Sequence, residues 1–103
     1  MTDMKNTIFA FLALAVALPM AANASPCGAE LCLSDFEAAK ESDGACDDEM
    51  DSFFEIVERH KGHFSPSKTL KKRRDYLYKC ESGNKMDKER ILAKFGSIIK
   101  PSY

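Results

Sequence analysis

Four cysteines limit what this chain can fold into more than any other feature. Cys27, Cys32, Cys46 and Cys80 all lie beyond residue 24 of a 103-residue sequence. Ahead of them sits an export address. Lys5 gives a weakly positive start, Thr7 to Leu18 is an apolar run of 12 residues, and Pro19 breaks it. Ala22-Asn23-Ala24 then places small residues where a leader peptidase requires them. Twelve helical residues rise only ~18 Å against the ~30 Å hydrocarbon core of a bilayer, so the run reads as a signal peptide and not as an anchor. Cleavage after Ala24 divides the chain into a signal peptide, residues 1–24, and a domain of 79 residues, 25–103. The expected destination is the periplasm, with no membrane span left after the cut.

An even number of cysteines in a short exported domain reads as two disulfides. Zinc, held by cysteine pairs with His60 and His63, is the competing chemistry. It is disfavoured by the C-x4-C spacing of Cys27 and Cys32 and by the oxidising compartment. A domain of this size has little core, and covalent cross-links supply what burial does not.

Hydrophobic periodicity makes the domain all-α, a small disulfide-stapled unit of three to four helices. A first segment covers residues 28–41, with Leu31, Phe36 and Ala39 apolar and Ser34 with Glu37 as a candidate capping box. Ser42-Asp43-Gly44 breaks it. A second helix covers residues 45–60, where Met50, Phe53, Phe54 and Val57 fall at i, i+3, i+4 and i+7. Gly62 is its expected stop. Ser65 as N-cap and Pro66 at the first position open a third helix, whose stripe is Leu70, Arg73, Leu77 and Cys80. A fourth covers residues 86–100, with Ile91, Leu92, Phe95, Ile98 and Ile99 apolar, and Pro101 ending it.

The short link between the second and third helices predicts a central antiparallel hairpin. Cys46 opens one arm and Cys80 closes the other, so both lie at one end. The favoured pairing is Cys32–Cys46 with Cys27–Cys80, which in a chain-entropy treatment contribute ~3 and ~4 kcal/mol. Cys46–Cys80 with Cys27–Cys32 remains the alternative.

Charge is segregated. Residues 25–58 carry eleven acids and one base, Lys40, while residues 59–103 carry thirteen bases and four acids. The densest basic run is Lys71-Lys72-Arg73-Arg74. It reads either as a docking face, with Lys71, Lys72 and Arg74 as contact residues, or as the basic half of a pair of neighbouring helices whose fields cancel. Arg73 falls on the apolar stripe, so its guanidinium needs a carboxylate or carbonyls at a helix end. Glu30 and Asp51 are the candidate carboxylates. On the apolar side, Ile91 and Phe95 of the fourth helix, with Ile98 and Ile99, read either as contact residues, together with the Gly62–Thr69 loop, or, as the favoured reading, as a face that packs on the second and third helices.

A net charge of −1 argues against a nucleic-acid binder driven by bulk electrostatics. No nucleotide, hydrolase or metalloprotease motif is present. Asp47 and Asp48 sit where a helix N-terminus wants acids, and His60 and His63 sit at a helix end and a loop. No serine or thiol has an evident base beside it. The expectation is a non-enzyme without catalytic residues, metal or cofactor.

The assembled residues form a pattern: Cys27, Leu31-Cys32-Leu33, Cys46, Phe54-x-Ile56-Val57, Phe64-Ser65-Pro66-Ser67-x-Thr69, Arg73 and Leu77-x-x-Cys80. In it Phe64, Pro66, Thr69, Arg73 and Leu77 form a continuous motif ending on a cysteine. This pattern resembles the TrbM/KikA family of conjugal transfer proteins, closest to the KikA branch, over residues 27–80. The resemblance implies a small exported protein encoded beside type IV secretion genes on conjugative plasmids. It would act by protein contact with components of a conjugation or envelope complex. It also implies an alternative role in harming certain hosts, through a growth-inhibiting action on an envelope target. Residues 81–103 lie outside the motif.

Overall fold

The computed structural model describes residues 24–103, so the expected signal peptide lies, apart from Ala24, outside the described residues. Helix α1 covers Pro26–Ser34. Ser25 is extended, its Oγ accepts the Gly28 amide at 3.0 Å, and Pro26 occupies the first turn, where a missing N–H costs nothing. Helix α2, Phe36–Lys40, follows after one residue. The single helix expected over residues 28–41 is therefore split at Asp35, whose Oδ1 accepts the Ala38 amide at 3.2 Å. The expected Ser34–Glu37 box is displaced by one position, because Ser34 Oγ donates to the Glu30 carbonyl instead.

Helix α3, Asp47–Phe54, starts with three acids in its first turn and ends well short of His60. The missing turns are replaced by a small hairpin. Strand β1, Arg59–His60, pairs antiparallel with β2, His63–Phe64, in the register Arg59↔Phe64 and His60↔His63. Its two-residue turn has φ of 53° at Lys61 and 83° at Gly62. Two positive φ values fit a type I′ turn, whose twist suits a hairpin. Gly62 thus serves the hairpin and is not a helix stop.

Helix α4, Pro66–Leu77, begins where the sequence placed it, with Ser65 Oγ accepting the Lys68 amide. Helix α5, Lys85–Phe95, is capped by Asn84, which accepts the Asp87 amide at 2.7 Å. It ends at Phe95, with Gly96 as its C-cap, and not at Lys100.

Helix α1 packs against each of the other four helices. The core gathers Ala29 and Leu33 from α1, Met50, Phe53 and Phe54 from α3, Leu77 from α4, and Ile91, Leu92 and Phe95 from α5. Phe95 is its aromatic centre, with ring centroids 4.9 Å from Phe36 and 5.8 Å from Phe54. Two bridges bind the other elements to α1. Cys27–Cys80 fastens its first turn to the residues after α4, with Cα atoms 4.8 Å apart. Cys32–Cys46 fastens its last turns to the residue before α3, with Cα atoms 5.9 Å apart.

Segment 52–58 and helix α4 run antiparallel. Ser52 meets Tyr76, Phe54 and Ile56 meet Arg73, and Glu58 meets Thr69. These residue numbers rise on one side as they fall on the other. The expected antiparallel reversal is thus shared between the end of α3 and the irregular stretch after it, and α1 is the hub on which both arms pack.

Candidate functional site

The element with the most organised polar chemistry is Arg73. It projects from α4 into the core and is fully buried. No carboxylate meets it. Nε donates to the Ile56 carbonyl at 3.0 Å, and one terminal nitrogen donates to Phe54 at 3.2 Å and Ile99 at 3.0 Å. The other donates to Phe95 at 2.8 Å, to Gly96 at 3.4 Å and to Ile98. The acceptors are the carbonyls at and just beyond the ends of α3 and α5. Those ends carry the negative pole of each helix, so the cation neutralises two helix termini at once. Its carbon also lies 5.2 Å from the centroid of Phe53 and 5.3 Å from that of Phe54. Burial lowers its pKa to about 10, still well above neutrality, so the group is charged.

The carboxylates suggested for Arg73 go elsewhere. Glu30, on α1, meets Lys88 of α5 at 2.8 Å, with both side chains almost wholly buried. Glu30 Oε2 accepts the Asn84 amide at 3.1 Å, while Oε1 faces the ammonium at ion-pair distance without hydrogen-bond geometry. Asp51 meets Lys100 at 3.1 Å and the Tyr103 hydroxyl. The tyrosine hydrogen bond first, and Lys100 second, hold the Asp51 carboxyl below its ordinary range. The Glu30–Lys88 pair left no trace in the sequence, because the two residues share no helix and no motif.

One turn before Arg73, Thr69 is also fully buried. Its Oγ1 accepts the Glu58 amide at 2.9 Å and donates to the Glu58 carbonyl at 3.3 Å. One turn after it, Leu77 fills the core, and Cys80 closes the bridge to α1. Pro66 opens α4, and Phe64 ends the hairpin that delivers the chain to it. Thr69, Arg73 and Leu77 therefore fasten one face of α4 to the ends of its neighbours.

A family model described as TrbM matches residues 21–102. The chain belongs to the TrbM family. No curated protein and no solved structure matches it. The TrbM match reaches beyond the motif and takes in α5 and most of the C-terminal tail. Phe64, Pro66, Thr69, Arg73, Leu77 and Cys80 together fix α4, so the motif carried by this TrbM chain is a fold-closing device. Its spacing is legible in the sequence, and of the two partners the sequence offers Arg73 the helix-end carbonyls are the ones it meets; which carbonyls they are is not legible, since a backbone carbonyl has no residue signature.

The contact residues expected from the sequence divide. Lys71 and Lys72 are exposed on α4 and form no ion pair among the described residues. Arg74 is engaged: it meets Glu89 at 2.9 Å, and Tyr78 donates to the same carboxylate at 2.6 Å. Arg74 and then Tyr78 hold the Glu89 carboxyl down. For Ile91 and Phe95 the structure shows the packing alternative and not the contact one. At 2% and 4% exposure they are core residues, because α5 turns that face onto α1 and α4. The exposed apolar side chains are instead Leu31, Met86, Ile98 and Ile99.

A cleft of about 320 Å³ lies beside the Cys27–Cys80 bridge, between α1 and the start of α5. Its polar lining is committed to the fold: Glu30 to Lys88 and Asn84, and Asp87 to Asn84 and Arg90. Among the described residues, no group of three or more His, Cys, Asp or Glu side chains is placed to hold a metal ion. No helix among them is long and apolar enough to cross a membrane.

Proposed function

We propose that this chain is an exported periplasmic accessory of plasmid conjugal transfer, acting by contact with protein components of a type IV secretion-associated complex. The observation that carries the reading is the TrbM match over residues 21–102, because that family is associated with conjugal transfer. The leader-like residues 1–24 and the two bridges support an oxidising destination. The organised polar groups support contact over catalysis: Arg73, Thr69, Glu30 and Lys88 are all buried in structural roles. What the surface offers a partner is a rigid helical frame with Lys71 and Lys72 presented on α4.

Deleting the gene from a conjugative plasmid and complementing it tests the role. Plasmid transfer should fall while donor growth stays normal, and the parent sequence should restore transfer. Complementation by a Lys71→Glu, Lys72→Glu variant should restore less, with the protein present at the parent level. Unchanged transfer on deletion, with growth arrest on overexpression, would replace the accessory reading with that of a growth inhibitor.

A further inference from the structure

We infer that Glu49 is the receptor for a new chain end: hydrolysis of the Ala24–Ser25 bond exposes an α-ammonium on Ser25, and that ammonium docks on the Glu49 carboxylate. The inference rests on the export reading above, with its cut after Ala24, and adds to it the side chain that holds the new chain end.

The geometry is already in place. Ser25 N donates to Glu49 Oε1 at 2.9 Å, between residues 24 positions apart. Ser25 is the N-cap of α1, and its own hydroxyl is occupied by the Gly28 amide. The first turn of α1 contains no acid. Glu49 belongs to the first turn of α3, which the Cys32–Cys46 bridge holds beside α1. Its carboxylate lies across the start of α1 in a space that Gly28 leaves open. A Cβ at position 28 would collide with both carboxylate oxygens of Glu49 and with the carbon between them.

The chemistry gives this contact a direction. Hydrolysis adds water across the Ala24–Ser25 amide. The hydroxyl goes to the Ala24 carbonyl, which leaves as a carboxylate on the leader, and the Ser25 nitrogen takes up protons to become an ammonium. Before the cut, that nitrogen is a neutral amide with one hydrogen. Afterwards it carries a full positive charge at the positive pole of α1, an unfavourable place unless an anion answers it. Glu49 supplies that anion from a neighbouring helix: its hydrogen bond from the Ser25 nitrogen is charged on the acceptor side before the cut and becomes an ion pair, charged on both sides, after it. Processing thus tightens the link between α1 and α3 at the point where the leader departs.

The test uses the exported protein. Intact mass and N-terminal sequencing of the periplasmic product should show Ser25 as its first residue. A four-membered set then compares the parent, a form with Gly-Ser inserted between Ala24 and Ser25, Glu49→Gln, and the combination. The insertion leaves the cut in place but moves the ammonium two residues away. With Glu49 present, the insertion should raise the unfolding equilibrium constant about fivefold to tenfold at low salt, and in the Glu49→Gln background it should have no further effect. Gly28→Ala, which pushes the carboxylate aside, should remove the same coupling without touching either charge.

A cut elsewhere, or no export, overturns the inference together with the export reading on which it rests. A cut at Ser25 with strictly additive effects of insertion and Glu49→Gln overturns the inference alone and leaves that reading standing.

Discussion

Replacing Arg73 with methionine should remove a large share of the stability of this domain. The change keeps an aliphatic stem beside Phe53 and Phe54 and deletes every donor of the guanidinium. Three of its acceptors, the carbonyls of Phe54, Phe95 and Gly96, are reached through fully buried hydrogen bonds. Each buried acceptor left without a donor costs ~1–3 kcal/mol. The carbonyls of Ile56, Ile98 and Ile99 are partly buried, and water can reach them at smaller cost. Relief from desolvating a charge offsets part of the loss, which leaves a net ~3–5 kcal/mol. At ~0.05–0.15 kcal/mol per residue, a domain of this size holds ~4–12 kcal/mol in total. Arg73→Lys should fall between parent and Arg73→Met, because one ammonium cannot span two helix ends as a planar fork does. Urea denaturation with both bridges intact measures all three. If Arg73→Met stays within ~1 kcal/mol of the parent, water satisfies these carbonyls as well as the guanidinium does, and its role as a clamp is refuted.

Other substitutions separate core from surface. Phe95→Ala should cost ~3–5 kcal/mol in the same assay, whereas Lys71→Glu and Lys72→Glu should each stay within ~0.5 kcal/mol. Lys88→Met strands Glu30 as a lone buried charge and should cost ~3–5 kcal/mol, and adding Glu30→Gln should recover part of that loss. Burial first, and the hydrogen bond to Asp51 second, push the Tyr103 phenol up to about 12. The stability it contributes is therefore fully present below its unfolded pKa of ~10 and lost as pH rises from there to about 12. Tyr103→Phe should remove the last step of a near-ultraviolet tyrosinate titration. Asp51 has the opposite sign: its folded pKa is depressed, so its contribution is present above its unfolded value of ~4 and lost as pH falls through the folded one. Asp51→Asn should flatten that acid limb.

Local signals located the start of α4, because Ser65 and Pro66 act on their own first turn. They also located the break at residues 42–44, where Asp43 and Gly44 take positive φ. Both overlong helices share one cause. A helix running on to His60 would turn the carbonyls of Phe54 and Ile56 to amides four residues ahead, and one running on to Lys100 would do the same with Phe95 and Gly96. In the folded domain those carbonyls accept from Arg73, a residue from neither helix. Apolar periodicity continues past both ends, so periodicity alone misplaces them. The hairpin was missed because Lys61-Gly62 is a weaker turn signal than Asn-Gly, and because a glycine after an apolar stripe also reads as a helix stop. The apolar set of α5 is legible as a face that packs on its neighbours, but that α1 is among those neighbours is not, because no local pattern records which element has a face left for it.

The central claim is that two specific sulfur bridges close this domain around α1, and peptide mapping of the purified, unreduced residue 25–103 domain tests it most directly. Trypsin cuts after Lys40, Arg59, Lys79 and Lys85, leaving Cys27 and Cys32 on residues 25–40, Cys46 on 41–59 and Cys80 on 80–85. Cys27–Cys80 with Cys32–Cys46 predicts one species joining all three peptides, which a further cut after Glu30 resolves into its two links. Residues 25–40 recovered as a self-bridged peptide, with 41–59 joined only to 80–85, or four free thiols in a folded protein, would contradict it.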